Sequence, residues 1–372
     1  MEVLSQRAIK ITSVEAALLR VPLRQRAITD SQSSVSDVEF LQVKLETDAG
    51  ITGWGMNWSY TPGLRAAQVA VTDNYAPMLQ GQDPFFRKEL VRRCYFSNHF
   101  VGRVGATLVG LAAVEFALWD IACKAAGLPL WRYLGPCRDT VKAYSTDGGW
   151  LSSSVEELTA DAQRLVERGF DAIKVKLGRE PREDLERVKA VRSAIGPNIK
   201  LMTDVNCAWT LNVAKQWGPR LAEHDVFWLE EPLHPFDKRA HAALAAAISV
   251  PIALGETVYT KYDFRDFIDL NAVDIVQADA TKLSGIDEWL EVAALASAAN
   301  KPVVPHTNVQ HKLHVQLAAA TPGVMMVENC YESLLDIWDE PIYVKDGYYG
   351  LPAEPGVGLK IRDDVFKESR VA

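Results

Sequence analysis

The sequence predicts an α/β fold in which a modified (β/α)7β barrel is joined to a smaller α+β domain. From residue 141 onward, eight short apolar segments recur with a helical pattern in each of the seven gaps between them. Such alternation is typical of a parallel sheet, and eight strands of this kind favour a closed barrel over an open sheet. The first third of the chain instead places its strands first and its helices after them, which indicates a separate domain.

The length of 372 residues exceeds one ordinary domain but suits a barrel with an additional domain. We expect residues 1–135 to form an N-terminal α+β capping domain and residues 136–330 to form the barrel. Helical periodicity stops after the eighth strand, so the last helix of a regular barrel is missing. Residues 331–372 are rich in Pro, Gly and aromatic residues, and we expect them to return to the capping domain.

Composition excludes several classes of function. The net charge of −8 and the absence of a Lys/Arg block argue against a nucleic-acid partner. The longest apolar run, residues 242–254, is too short to span a bilayer, and charged residues near the N-terminus replace the apolar core of a secretion signal. The five cysteines show no CxxC spacing and are read as reduced thiols without a zinc site. We therefore expect a cytoplasmic protein with no membrane partner.

In the first domain, apolar segments predict strands at residues 9–21 and 38–54, the second interrupted by a hairpin turn at 47–50. The polar segment 24–36 has no apolar period and predicts a mobile loop, and a second loop is expected at 57–63. Helical patterns follow at residues 64–80, 84–95 and 106–126.

The barrel strands are predicted at residues 141–145, 172–176, 200–205, 226–230, 251–256, 273–279, 302–306 and 324–328. Chemistry in such barrels lies at the carboxyl ends of the strands. From the second strand to the eighth, these ends carry Lys174 and Lys176, Asp204 with Asn206, Glu230, Glu256, Asp279, His306 and Glu328. A single Asp after a strand is usually a helix cap, and a single Glu in a loop is usually solvated. Seven consecutive strand ends of the same kind indicate an active site.

Two lysines lie on one face of the second predicted strand. Lys174 and Lys176 are two residues apart, so both point to the same side, about 7 Å from each other. Two ammonium groups in a covered barrel would be costly unless carboxylates or a ligand offset them. The alternative is a short edge strand with one solvated face, which the other strand ends disfavour.

Three of the acidic residues form a candidate metal site. Asp204, Glu230 and Glu256 follow three adjacent strands and would repel one another unless a cation lay among them. Their oxygen ligands favour Mg²⁺ over zinc. Glu231 is expected on the opposite face of its strand from Glu230, so it is assigned a supporting position.

The remaining groups flank that metal site on two sides. An Asp279 carboxylate that accepts an imidazole N–H would raise the basicity of His306, although a lone histidine is more often a core residue. Lys176 needs a lowered pKa to act as a base, which Lys174 and Mg²⁺ would supply. A base on each side of a metal-bound carboxylate could move a proton at the adjacent carbon through an enediolate.

The full ordered set resembles the mandelate racemase subgroup of the enolase superfamily. The matching segments are Lys174-Val175-Lys176, Asp204-Val205-Asn206, Trp228-Leu229-Glu230-Glu231-Pro232, Gly255-Glu256, Asp279 with Lys282 and Gly285, Pro305-His306, and Glu328. Residues 115–120, 127–129 and 355–358 also match, so the resemblance covers nearly the whole chain. Two departures, Ala278 and Ser284, touch no functional group.

The resemblance implies a role for each member of the set. It assigns Asp204, Glu230 and Glu256 to magnesium, Lys176 to the base on one face, and the Asp279–His306 pair to the acid/base on the other. It also implies that Lys174 contacts the substrate carboxylate, Asn206 its α-hydroxyl and Glu328 the enediolate. The muconate-lactonising branch has a lysine where this chain has Asp279, so that branch is disfavoured. Homo-oligomers are usual in the family and are expected here.

The resemblance leaves the reaction open. We favour dehydration of a sugar acid, an aldonate or aldarate, to a 2-keto-3-deoxy acid. The alternatives are a racemase or epimerase of a 2-hydroxy acid and a non-catalytic protein on a reused barrel. Arg24, Arg26 and Asp30 in the polar loop suit the hydroxyls or the distal carboxylate of a sugar acid, unless these side chains merely face solvent. The segment Tyr60-Thr61-Pro62 instead resembles the aromatic loop of racemases of aryl hydroxy acids. Arg24 and Tyr60 are the expected substrate contacts of the first domain.

Overall fold

The structure, a computed structural model, describes residues 8–23 and 28–371. The first domain opens with an antiparallel sheet in the order β1-β4-β5 and a separate two-stranded hairpin, β2–β3. Its strands are β1 (Ile11–Pro22), β2 (Ile28–Thr29), β3 (Ser34–Val35), β4 (Asp37–Thr47) and β5 (Thr52–Ser59). The predicted hairpin joins β4 to β5, and its turn contains Gly50 at a φ of 74°. The β2–β3 hairpin lies within the segment that was predicted to be a loop.

The helices of this domain follow the strands. They are α1 (Leu64–Val69), a π-helical segment (Ala70–Tyr75), α2 (Ala76–Leu79), a 3₁₀ turn (Pro84–Phe86), α3 (Arg87–Ser97), α4 (Ala106–Ala126) and α5 (Leu130–Leu134). The predicted single helix over 64–80 is thus interrupted by the π-helical segment. Among the described residues, α4 alone is long and apolar enough to cross a membrane, but 89% of its most apolar window is buried inside the protein.

Helix α4 packs closely on the sheet because β5 carries two glycines that face it. A Cβ atom at Gly53 would lie 2.2 Å from the carbonyl oxygen of Ala117, and one at Gly55 would lie 1.8 Å from that of Ala113. Any larger residue would push the helix away from the sheet. The glycines therefore set the position of α4, which also contacts the barrel.

The barrel is built from seven parallel strands: β6 (Val141–Ser145), β7 (Ala172–Lys176), β8 (Lys200–Asp204), β9 (Val226–Glu230), β10 (Ile252–Leu254), β11 (Ile275–Val276) and β12 (Val327–Asn329). Strands β6 to β11 neighbour one another in chain order, and β12 pairs with β6 on the other side. The predicted seventh strand at 302–306 is wrong as a strand. Val303 forms only isolated bridges to Val276 and Val324, since Pro302 and Pro305 have no N–H to donate. These bridges still close the barrel.

Residues 141–330 are described without a gap, and if the bridge segment at 302–306 is counted with the seven strands, a helix fills each of the seven intervals between these eight positions. These helices are α6 (Val155–Glu167), α7 (Pro181–Ile195), α8 (Leu211–Ala222), α9 (Lys238–Ala245), α10 (Lys261–Asp269), α11 (Ile286–Ala298) and α12 (His311–Ala320). No helix directly follows β12 in the described chain; a 3₁₀ turn (Glu332–Ile337), β13 (Val344–Lys345), β14 (Tyr348–Tyr349) and α13 (Asp363–Ser369) come instead. The predicted fold class is confirmed.

The C-terminal segment contacts both parts of the molecule. Strand β14 pairs antiparallel with β6. Further along, Gln42 of β4 donates to the Leu359 carbonyl over 3.1 Å and accepts from the Ile361 N–H over 3.0 Å. Asp120 of α4 accepts from the Val357 N–H over 2.7 Å. The tail therefore ties the first domain's sheet and core helix to the barrel.

Candidate active site

Alternation along the barrel strands creates two successive layers of side chains. An apolar layer fills the barrel interior with Tyr144, Ala172, Met202, Trp228, Ala253, Ile275, Val304 and Met326. Two residues further along the same segments come Thr146, Lys174, Asp204, Glu230, Gly255, Gln277, His306 and Glu328. Because residues i and i+2 of an extended chain point to the same side, the polar layer lies directly above the apolar one. The apolar layer therefore supports the polar one.

The three acidic residues predicted to bind a metal meet in this polar layer. One carboxylate oxygen of each of Asp204, Glu230 and Glu256 lies within 4.8 Å of the others. Glu230 accepts hydrogen bonds from Trp228 Nε1 over 3.0 Å and from Gln277 Nε2 over 2.8 Å, which fix its orientation. Burial raises the pKa of Glu230 to about 7, with the nearby carboxylates adding to the effect. Three converging oxygen donors of this kind fit Mg²⁺.

Both lysines of β7 point to this cluster. Lys174 is fully buried, with Nζ 2.7 Å from Glu230 Oε1, 3.0 Å from Glu328 Oε1 and 3.6 Å from Asp204 Oδ2. Burial lowers the pKa of Lys174, but these carboxylates outweigh burial and hold that pKa well above its usual value. Lys174 therefore serves as the counter-ion at the base of the site, and its predicted contact with a substrate carboxylate stays a prediction.

Lys176 lies nearer the mouth of the barrel. Its Nζ is 2.6 Å from Asp204 Oδ2 and 3.0 Å from Asn206 Oδ1. The sequence predicts a lowered pKa, but the protein groups alone give the opposite: burial and Lys174 lower the pKa of Lys176, and Asp204 outweighs them and raises it. A divalent ion on Asp204 would offset that carboxylate and shift the pKa of Lys176 downward.

The predicted Asp279–His306 pair is formed. Asp279 Oδ2 lies 2.9 Å from His306 Nδ1, and its other oxygen accepts from the Thr281 N–H over 2.8 Å and lies 3.3 Å from His314 Nε2. These partners lower the pKa of Asp279 despite its burial. His306 Nε2 points to Glu256 Oε2 at 3.1 Å; burial lowers the pKa of His306, but Glu256 and Asp279 raise it to about 9.

Glu328 lies between the two sides of the site. Its Oε1 accepts from Thr146 Oγ1 over 2.6 Å, and its Oε2 lies 3.9 Å from His306 Nε2. Oε2 is buried and has no hydrogen-bond partner among the described residues. Burial raises the pKa of Glu328, but Lys174 and His306 outweigh burial and lower it. An ionised oxygen without a partner is thus available to a group that binds beside His306.

Glu231 lies just outside the acidic cluster. Its φ of 39° ends the strand alternation, so the side chain turns to the β10 side, where Oε1 accepts from Thr257 Oγ1 over 2.6 Å. Burial, together with Glu256 and Asp204, raises the pKa of Glu231 well above its usual value. Glu231 therefore links the segment after β9 to the segment after β10 through Thr257, and it is not a member of the Asp204–Glu230–Glu256 cluster.

A cavity opens above these groups, and the first domain forms part of its wall. Among its lining residues are Lys176, Asn206, Glu256, His306 and Glu328, whereas Lys174 lies beneath them. Tyr60 also lines it and accepts a hydrogen bond from Asn308 Nδ2. Arg24, the other predicted substrate contact of the first domain, lies outside the described residues.

Several side chains of the site were not found from the sequence. Thr146 and Gln277 hold Glu328 and Glu230, yet neither is titratable, so a search for charged strand ends passes over both. The signal in the sequence that could have identified them is their position, two residues after Tyr144 and Ile275 of the apolar layer. Trp150 and Tyr331 also line the cavity, and only their tertiary position reveals this.

Comparison with known proteins places this geometry in context. A family model described as mandelate racemase / muconate lactonizing enzyme, N-terminal domain, matches residues 13–135, and one described as enolase C-terminal domain-like matches residues 157–365. The arabinonate dehydratase of Saccharolobus solfataricus is 33% identical over 339 residues, covering 89% of this chain and 90% of that protein. The 3,6-anhydro-α-L-galactonate cycloisomerase of Streptomyces coelicolor is 31% identical over 350 residues, covering 94% and 96%.

A solved structure is similarly close. The L-talarate dehydratase from Polaromonas sp. JS666, complexed with Mg and L-glucarate, superimposes with a TM-score of 0.91 at 33% identity, and the match covers 98% of each chain. The likeness therefore extends over both domains and is not confined to the barrel.

Proposed function

Because the chain belongs to the mandelate racemase / muconate lactonizing enzyme family of the enolase superfamily, we propose that it is a Mg²⁺-dependent enzyme that dehydrates a sugar acid. The substrate would be an aldonate or aldarate, and the product a 2-keto-3-deoxy acid. The relatives support this reaction class, since they include an arabinonate dehydratase and an L-talarate dehydratase.

The observation that carries the proposal is that two proton-transfer groups contact two different carboxylates of one acidic cluster. Lys176 Nζ lies 2.6 Å from Asp204, and His306 Nε2 lies 3.1 Å from Glu256. A substrate carboxylate held at the cluster would therefore have one of these groups on each side of its α-carbon. Asp204, Glu230 and Glu256 would hold Mg²⁺, which when bound neutralises the negative charge that develops on the substrate carboxylate.

In dehydration Lys176 Nζ or His306 Nε2 accepts the α-proton, and the electrons of the broken α-C–H bond form an enediolate. His306 Nε2 then delivers a proton to the β-hydroxyl, the β-C–O bond breaks, and water leaves; the enol that remains becomes the 2-keto-3-deoxy acid. Asp279 keeps the His306 Nδ1 proton in place, so that Nε2 faces the substrate. The family resemblance assigns Glu328 to the enediolate and Asn206 to the α-hydroxyl, and both side chains line the cavity.

Racemisation or epimerisation of a 2-hydroxy acid is the second candidate. The same two groups on opposite sides could remove the α-proton from one face and return it to the other. Tyr60 in the cavity wall is the feature that favours this reading. A cycloisomerase among the relatives shows that members of the family do other chemistry.

The test is a screen of aldonates and aldarates with Mg²⁺ in deuterated buffer. We expect a 2-keto-3-deoxy product that requires Mg²⁺, and loss of product after chelation with EDTA that added Mg²⁺ restores. Deuterium at the α-carbon with a new stereoisomer and no keto acid would instead establish racemisation. If no acid showed deuterium exchange and none gave a product, catalysis of this type would be refuted and a non-catalytic protein would be favoured.

Three further proposals accompany the reaction. The partner is a small-molecule carboxylate. We propose a cytoplasmic location because the five cysteines are free thiols without CxxC spacing, and a homo-oligomer on the strength of the family resemblance alone. Light scattering after gel filtration measures the oligomeric state directly.

A further inference from the structure

An acidic side chain of the first domain reaches the same cavity as the reacting groups. Asp30 lies in the turn of the β2–β3 hairpin and lines the cavity together with Lys176 and His306. The cluster that would bind Mg²⁺ does not include it. Asp30 is thus a negative charge on the wall that the rest of the substrate would face.

The hairpin that carries Asp30 is fixed to the barrel. Ser31 Oγ donates to the carbonyls of Val205 and Asn206, each over 2.9 Å, and Gln32 Nε2 donates to the Asn206 carbonyl over 2.6 Å. The approach is close enough that a Cβ at Gly178, whose φ is 106°, would lie 2.8 Å from Ser31 Cβ. The position of Asp30 is therefore set relative to Asn206, next to the predicted metal ligand Asp204.

The carboxylate of Asp30 has a structural role as well. Its Oδ1 accepts from the N–H groups of Gln32 and Ser33, each over 2.7 Å, as expected of an Asp in a tight turn. Among the described residues, Oδ2 has a single, longer bond, 3.2 Å to Ser33 Oγ. Asp30 lines the same cavity as Tyr331. One oxygen holds the turn, and the other retains acceptor capacity.

Aromatic rings form the wall that Asp30 joins. Ring centroids are separated by 4.7 Å for Trp58–Tyr60, 5.6 Å for Tyr60–Tyr331 and 5.3 Å for Tyr331–Trp150. Trp58 lies 6.2 Å from the His306 ring.

The four rings Trp58, Tyr60, Tyr331 and Trp150 form an aromatic arc. At the end opposite His306, the centroid of the Trp150 ring lies 5.9 Å from Lys176 Nζ. The four rings therefore span from one proton-transfer group to the other, and Asp30 lines the same cavity as three of them, Tyr60, Tyr331 and Trp150. A substrate whose carboxylate and α-carbon lie between Lys176 and His306 would extend its hydroxyl-bearing chain towards this arc and Asp30.

We propose that Asp30 is a specificity-determining residue that selects a monocarboxylic sugar acid, an aldonate, and rejects the corresponding dicarboxylic aldarate. This inference rests on the proposed function and narrows its substrate class. A carboxylate accepts hydrogen bonds from substrate hydroxyls. A second carboxylate at the far end of the substrate would meet a like charge that the hairpin holds in place, and such repulsion is an effective means of discrimination.

The experiment compares kcat/KM for aldonate and aldarate pairs of the same length and configuration, such as galactonate and galactarate. For the wild-type protein we expect the aldonate to be preferred by about tenfold or more, since like-charge contacts cost several kcal/mol. Asp30→Asn keeps an oxygen to accept the Gln32 and Ser33 N–H groups and removes only the charge. We expect this variant to reduce the preference by about tenfold, mainly through a lower KM for the aldarate.

Asp48→Asn is the matched control. Asp48 is an exposed turn aspartate that also accepts a backbone N–H, from Lys10 over 2.8 Å, but its turn lies at the opposite end of β5 from Ser59 and Tyr60. The control should keep the wild-type preference. Equal losses for both acids in Asp30→Asn would mean that Asp30 only holds its turn, and would overturn the proposal.

Other outcomes separate this inference from the reaction itself. A wild-type protein that dehydrates aldarates in preference to aldonates would refute the role of Asp30 and leave the proposed function standing. If Arg24→Ala then abolished that preference, Arg24 would be the residue that governs the far end of the substrate. If no sugar acid of either class were dehydrated, the proposed function would fail and this inference with it.

Discussion

A glycine at the contact between the two domains offers a strong test of the structural reasoning. Glu115 of α4 is fully buried, and its carboxylate accepts from the Ile286 N–H over 2.9 Å, the Asp287 N–H over 3.1 Å and Trp119 Nε1 over 2.8 Å. The first domain thereby binds the start of α11. Gly285 precedes that helix at a φ of 123° and a ψ of −157°, a region that is essentially restricted to glycine.

Replacing Gly285 with Ala should destabilise the protein for two reasons. The new Cβ would lie 2.1 Å from Glu115 Oε2 and 2.4 Å from its Cδ, so the carboxylate would have to move away from its donors. Overpacking of this kind costs about 1–3 kcal/mol, and the backbone conformation adds about 1–3 kcal/mol. Together the free energy of unfolding should fall by about 4 kcal/mol.

Urea unfolding followed by tryptophan fluorescence measures this change, and a double-mutant cycle separates its causes. In a Glu115→Ala background the clashing atoms are gone, so Gly285→Ala should cost only the backbone part. The coupling between the two sites should therefore be about 1–3 kcal/mol. Gly323→Ala is the control, because a Cβ there would meet nothing within 4 Å. A loss below about 1 kcal/mol for Gly285→Ala, or an equal loss in both backgrounds, would refute the reasoning.

Two further predictions concern catalysis and pH. His306→Asn removes the group that delivers the proton to the leaving hydroxyl, so formation of the keto acid should fall by about 10²–10⁴-fold; full activity in this variant would overturn the assignment of the acid. Burial and Glu332 raise the pKa of Asp147 to about 7. The unfolded pKa of this carboxyl group is about 4, so between about pH 4 and 7 the folded protein holds a proton on Asp147 that the unfolded chain has lost. The free energy of unfolding should therefore decline as the pH rises towards and through 7. The Asp147→Asn variant has no ionisable group at this position, so it avoids the decline. Its free energy of unfolding, taken relative to that of the wild type, should increase by roughly 2 kcal/mol between pH 5 and 8. Parallel stability curves for the two proteins would contradict this.

The fold class and the set of candidate active-site residues could both be predicted from the sequence alone. Barrel strands alternate with a period of two and end at one face, so linear spacing alone predicts that Lys174, Asp204 and Glu230 share one layer. The repeated alternation of strands with helices predicts the topology, and the break in helical period after β12 predicts that the last helix of a regular barrel is missing. These features are local, and a chain carries them before it folds.

Properties that depend on distant residues were decided only by the tertiary structure. The segment at 302–306 reads as a strand, but two prolines reduce its pairing to isolated bridges at Val303. The segment 24–36 reads as an unattached polar loop, yet Ser31 fixes its hairpin to the carbonyls of Val205 and Asn206.

The electrostatic state of the site also depended on the folded chain. The sequence predicts that Lys174 and Mg²⁺ together lower the pKa of Lys176, but among the protein groups Asp204 lies 2.6 Å from its Nζ and reverses the direction. Charge–charge energies depend on distances between groups that are far apart in sequence, and spacing along the chain does not contain those distances. Only the fold brings these groups together.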